Sequence, residues 1–242
     1  MNRGFTLFEM LVSLGIFMLL TTTLLVKNSQ FKGNVVIGNT AYQLALAFRE
    51  AQSYGVNVRG VDPSTTGTPT NFVYNTAYGV HFDSLIPSSY LLFGDTNPSA
   101  SGGSANVGDR QYTSALGSVD ALVRTYQIGS GTEVVMFCTL RSTEVLCSNS
   151  GSGTSRLTWL DVSFLRPQLS AAIRDSSQTD PASQESILYA ASALVVVKNA
   201  QGICKAVKVT KAGSVGVVEN PKELDGGTTG YGKAVIDSGL CP

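Results

Sequence analysis

The feature that most constrains this chain is a run of twenty-two residues, Phe5 to Val26 (FTLFEMLVSLGIFMLLTTTLLV), with one ionisable side chain, Glu9, and no proline. As a helix the run spans roughly 33 Å, the thickness of a bilayer hydrocarbon core. Apolar helices buried in soluble proteins are usually shorter, so the run predicts a membrane-spanning segment. Arg3 and the amino terminus precede it and favour a cytoplasmic start, which sends everything after Lys27 across the membrane. Lys27 opposes that rule without overturning it. A cleaved secretory signal would have an apolar core of about 7 to 15 residues ending at a small-x-small site. The stretch LLVKNSQF offers no such site. A plain anchor leaves Glu9 unexplained, because an ionised carboxylate deep in a bilayer helix costs on the order of 3 kcal/mol unless something pairs with it. The segment therefore calls for a counter-charge from outside itself.

The string Arg3-Gly4-Phe5-Thr6-Leu7-Phe8-Glu9-Met10-Leu11-Val12 resembles the class III signal of type IV pilins and type II secretion pseudopilins. That family has a short basic leader ending in glycine, then phenylalanine, Thr-Leu-x-Glu and an unbroken apolar helix. The resemblance implies a leader of residues 1–4, cut between Gly4 and Phe5 by a membrane prepilin peptidase, and N-methylation of the new terminus at Phe5. Glu9 would then be the fifth residue of the mature chain, where the family uses the acid to meet the amino terminus of a neighbouring subunit. The physics agrees: in lipid an ammonium and a carboxylate each bear a desolvation cost, and each is the other's cheapest compensation. One such buried pair also fixes axial stagger, as a buried polar residue fixes coiled-coil register. The partners implied are the prepilin peptidase, other pilins or pseudopilins, the inner-membrane assembly machinery and, before assembly, the lipid bilayer.

After the spanning residues 5–26, residues 27–55 continue as an amphipathic helix. Ala41, Leu44, Ala45, Phe48 and Gln52 recur at helical spacing, with Arg49 and Glu50 on the other side, and Gly55 after Tyr54 is a natural stop. Gly33 and Gly38 are expected bends or melted points. Residues 56–242 change to short apolar runs between turn-rich stretches. The expected strands are 78–82, 90–93, 122–128, 134–140, 145–147, 157–165, 187–197, 203–210 and 215–218, while stretches such as DGGTTGYG read as loops. In 157–165 the alternation of Leu160, Val162 and Phe164 with Asp161 and Ser163 predicts one buried face. With few helices between strands, antiparallel pairing follows, and the expected fold is α+β, a long amino-terminal helix laid on antiparallel β-sheet. The phrases AFREAQSYGVNVR, YGVHFD, SFLRP and VKVTKAGSVGV are similar to those of the H-type minor pseudopilins and related minor pilins.

Four cysteines, Cys138, Cys147, Cys204 and Cys241, fall in the part expected outside, where an even count suggests disulfides with three possible connectivities. Cys138 and Cys147 flank a turn between expected strands, and Cys204 with Cys241 would tie the tail to the last hairpin, so this pairing is favoured. Four free buried thiols are the alternative. His81, inside an expected strand, reads as a packing or surface residue. Nucleophile elbow, Walker loop, zinc-protease and dinucleotide motifs are all missing from the sequence, which predicts neither an enzyme nor a cofactor. Asp95, Asn97 and Asp109 bracket a polar loop with the oxygen ligands calcium takes, although a solvated turn is the ordinary reading. With 17 basic and 17 acidic residues the chain has no charge excess for holding DNA. Lys205, Lys208 and Lys211 could touch phosphates, but lysines at a sheet edge more simply guard against aggregation. The sequence thus predicts a pilin-like structural subunit, resident in the inner membrane with its outer domain periplasmic or extracellular. The alternative is a membrane-anchored binding module, such as a DNA-uptake receptor or adhesin, that never polymerises.

Overall fold

Helix α1 runs unbroken from Leu7 to Val56, 50 residues, in the computed structural model of the chain. The structure describes residues 5–57, 59–61, 72–74, 76–96, 108–114, 120–129, 131–142, 144–149, 156–164, 169–177, 189–227 and 230–241. Thr6 opens α1 by accepting the Glu9 backbone N–H on its hydroxyl at 3.3 Å. At the other end the Asn57 N–H reaches the Ser53 carbonyl. Gly33 and Gly38 lie inside the continuous helix and do not melt it, because tertiary contacts hold this stretch. The Gly33 carbonyl accepts from Asn199 Nδ2 at 2.9 Å, and a Cβ at 33 would sit 3.2 Å from Gln201 Oε1. Gly55 does not end the helix either. A Cβ there would lie 2.4 Å from the Phe164 carbonyl oxygen, so glycine is what lets a strand approach this closely.

Two five-stranded sheets receive the second half of α1. The first has the order β3 (Ala121–Gln127), β2 (Ser89–Asp95), β1 (Ala77–Asp83), β6 (Trp159–Phe164), β7 (Ala171–Asp175). The second has the order β10 (Val215–Val218), β9 (Cys204–Thr210), β8 (Ser192–Asn199), β4 (Thr132–Arg141), β5 (Glu144–Cys147). Every pair of neighbouring strands is antiparallel. Ile37, Ala41, Leu44, Phe48 and Ala51 form the buried face of α1, and they share one core with Val80, Phe82, Leu160 and Val162 of the first sheet and Phe137, Val195, Val207 and Val209 of the second. The α+β plan is therefore present, with the sheet divided in two.

The second sheet is covered on both faces. Residues 221–227 form a 3-10 turn, and Gly230–Ser238 form helix α2, where the sequence reads as loop. Its glycines and threonines resemble turn chemistry, but Tyr231 and Val235, one turn apart, pack with Met136, Leu194, Val196 and Ala206 on the face away from α1. This explains why β8 is apolar without alternation, Val195 pointing into the main core and Leu194 and Val196 into the other. The disulfides Cys138–Cys147 and Cys204–Cys241 close loops of 9 and 37 residues beside this second core. On the chain-entropy model they contribute about 2.5 to 3 and about 4 kcal/mol.

Strand β6 departs from its expected one-sided pattern, because Asp161 and Ser163 are also fully buried. Residues 108–114 cross that face of the first sheet, with the Tyr112 N–H donating to Asp161 Oδ2 at 3.0 Å. Strand β7 has no counterpart among the expected strands. Its five residues carry two charges, Arg174 and Asp175, both buried. Asp175 meets Arg141 at 2.8 Å and accepts from the Thr139 hydroxyl at 2.7 Å.

Candidate functional site

The first turns of α1 present a surface with nothing from the body against it. Leu7–Leu25 is, among the described residues, long and apolar enough to cross a membrane, and none of it is buried. Phe5, Leu7 and Phe8 are about three-quarters exposed or more, at 77%, 84% and 75%. The polar side chains of this stretch are silenced by the helix itself. Ser13 donates to the Met10 carbonyl, Thr21 to Phe17, Thr22 to Met18 and Thr23 to Leu20, at 2.7 to 3.0 Å. Such back-bonding is how hydroxyls enter lipid at little cost. Glu9 cannot do the same, since a carboxylate only accepts and the carbonyls around it offer no proton. Among the described residues nothing partners its side chain. Gly4 lies outside the described residues, while Phe5 leads directly into the Thr6 cap.

The junction between helix and body carries a second cluster. Glu50 does not face solvent with Arg49. It accepts from the Tyr54 hydroxyl at 2.7 Å and from the Tyr126 hydroxyl of β3, and lies 3.7 Å from Arg124. Arg59 sits over the Tyr54 ring at 4.0 Å. Burial raises the Glu50 pKa, but the hydroxyls of Tyr126 and Tyr54 and the charges of Arg124 and Arg59 outweigh it and hold the carboxyl below its ordinary value. A depressed acid stabilises the fold fully above its unfolded pKa, about 4.3, and loses that contribution as pH falls through the folded value. Thermal unfolding from pH 6 to pH 3 should therefore show a steeper acid loss in the natural chain than in Glu50→Gln. Parallel curves would remove this role.

His81 is held by Asp161, with Nδ1 to Oδ1 at 2.7 Å, and its ring lies tilted against Tyr112, centroids 4.8 Å apart. It borders a cavity of about 510 Å³ lined also by Leu85, Ile86, Tyr90 and Trp159. Around this face the acids gather. Asp95 ends β2, Asp109 lies in the crossing segment and Asp120 precedes β3, with one carboxylate oxygen from each within 4.8 Å of the others. Asn97, the third residue expected here, lies outside the described residues. Asp120 was not among the expected ligands, although hairpin register exposes it: Gly94 pairs with Ala121, which sets Asp95 opposite Asp120. Burial first, then Asp120 and Asp109, push the Asp95 carboxyl up to about 8.

The three lysines do not form one patch. Lys205 and Lys208 fall on opposite faces of β9, because they stand an odd three positions apart in a period-two strand. Lys205 pairs with Glu219, and Lys208 sits 5.5 Å over the Tyr231 ring of α2. Lys211 is exposed in the following turn.

Comparison with curated proteins and with solved structures gives no match. Residues 1–25, the stretch that ends with the exposed apolar helix and contains Gly4, Phe5 and Glu9, match the family model described as the prokaryotic N-terminal methylation motif. The chain thus opens with the prepilin-type signal that a prepilin peptidase processes.

Proposed function

We propose that this protein is a pilin-like structural subunit, a minor pilin or pseudopilin, that is cut after Gly4, methylated at Phe5 and assembled into a type IV pilus or a type II secretion pseudopilus. In this reading residues 1–4 are the leader, 5–26 span the membrane, 27–55 carry the helix into the outer body, and 56–242 build an exported domain that faces neighbours and cargo. The observation that carries it is Glu9, the single charged side chain of the apolar stretch Leu7–Leu25, whose hydroxyls bond back to the helix's own carbonyls. Its carboxylate stands where a processed chain's amino terminus on an adjacent subunit would neutralise it. The two disulfides support export, since such bonds persist in oxidising compartments.

The minor-subunit assignment rests on the sheet-rich body and on the phrases similar to H-type pseudopilins. No catalytic role is assigned to the body, and the subunit works by packing rather than by turnover.

The test is the mass of the mature amino terminus in cells that express a prepilin peptidase. A chain beginning at N-methylated Phe5 is the expected result. An intact Met1, or a cut near Lys27, would end the proposal.

A further inference from the structure

The outer face of the first sheet holds three carboxylates that no assembly role requires. From their arrangement we infer a calcium site formed by Asp95, Asp109 and Asp120. The inference concerns the outer body alone and stands whether or not the chain polymerises.

Three segments distant in sequence bring the acids together: the end of β2, the crossing segment 108–114 and the start of β3. Their oxygens lie within 4.8 Å of one another, the greatest separation two oxygens can have when both ligate one calcium ion at about 2.4 Å. Backbone amides orient all three. Arg110 N–H donates to Asp95 Oδ2 at 2.6 Å, Gln111 N–H to Asp109 Oδ1 at 3.0 Å, and Thr96 and Thr113 N–H to the two oxygens of Asp120 at 2.9 and 2.8 Å. Fixed carboxylates of this kind are what an outer shell of donors provides to a metal.

A further observation points to a ligand. Asp95 is 1% exposed, and its Oδ1 is buried with no hydrogen-bond partner. A buried carboxyl oxygen left without a partner is costly, and a cation is the group that would satisfy it along with its neighbours. Gly108 packs directly against this carboxyl group, and a Cβ there would fall 1.8 Å from Asp95 Oδ1, so only glycine lets the crossing segment approach the end of β2 this closely. One buried cation, Arg174, touches the cluster by donating Nη1 to the Asp109 carbonyl, and it offsets only part of the charge of three carboxylates. Oxygen ligands with no nitrogen or sulfur among them select a hard cation, and ligands drawn from three separate segments suit the flexible coordination of calcium better than the strict octahedron of magnesium.

The experiment is calorimetric titration and thermal unfolding of the full chain in detergent micelles, with calcium chloride, magnesium chloride and sodium chloride of matched ionic strength. Calcium should bind once per chain with a Kd of roughly 0.1 to 1 mM, in the range of extracellular sites, and raise the unfolding midpoint by about 2 to 6 °C at saturation. Chelation should reverse the shift, and magnesium should act more weakly. Asp120→Asn should weaken binding roughly tenfold or more, and partly exposed Asp109→Asn is the second variant should the first fail to fold. The site is overturned if the natural chain shows neither calcium-specific heat nor a midpoint shift up to about 5 mM, a level above the expected Kd. A shift that sodium chloride reproduces, or one that Asp109→Asn leaves intact, also overturns it.

Discussion

Glu9→Ala should insert into the membrane as well as the natural chain and then fail to enter filaments. Insertion is driven by the apolar residues of Leu7–Leu25, and removing a carboxylate makes that step easier by on the order of 3 kcal/mol. Assembly is penalised in the opposite direction. The ammonium of a neighbouring subunit would be left bare in lipid, and a penalty of similar size corresponds to roughly a hundredfold loss at each contact. The measurement is the ratio of membrane-resident to filament-incorporated protein, by fractionation and crosslinking, with the assembly machinery active. Incorporation at the natural level would sink the subunit reading and favour an anchored module that works alone.

Phe48→Ala should be the most damaging single truncation in the body. Phe48 is fully buried on α1, its ring 5.9 Å from Phe82 of β1, in the core that both sheets share with the helix. Deleting the ring leaves a cavity in the core that the helix shares with both sheets, for a loss of about 3 to 5 kcal/mol. Leu46→Ala, two residues earlier on the exposed side, should stay within about 0.5 kcal/mol. The single tryptophan, Trp159 in β6, reports the unfolding of the first sheet by fluorescence in denaturant. Equal losses in the two variants would mean that α1 does not anchor the body through this face.

Much of this architecture is legible in the chain because its signals are local. Apolar content and length mark α1, the positions of Ala41, Leu44, Ala45 and Phe48 identify its buried face, and short β-branched runs mark most strands. The remainder depends on partners far away in sequence. Helix α2 is concealed by its glycines and becomes a helix because the back of the second sheet needs a cover. Strand β7 is short and charged, and Asp175 is tolerated there because Arg141 and Thr139 come from β4. Asp161 looks like an outward-facing acid until residues 108–114 are laid over it. The candidate site divides in the same way. Glu9 stands out within eight residues of motif, whereas Asp120 joins Asp95 and Asp109 only through the register of a hairpin.

The continuity of α1 has a mechanical consequence. About 28 Å of bare rod, Leu7–Leu25, passes into a stretch clamped to the body from Gly33, whose carbonyl is tied to Asn199, to Gly55, pressed against β6. With no swivel between shank and head, the molecule behaves like a key. Turning the rod by one residue's worth of screw, about 100°, swings the head through the same arc, so in the proposed assembly an azimuth set by the Glu9 pairing would be the azimuth displayed by the body.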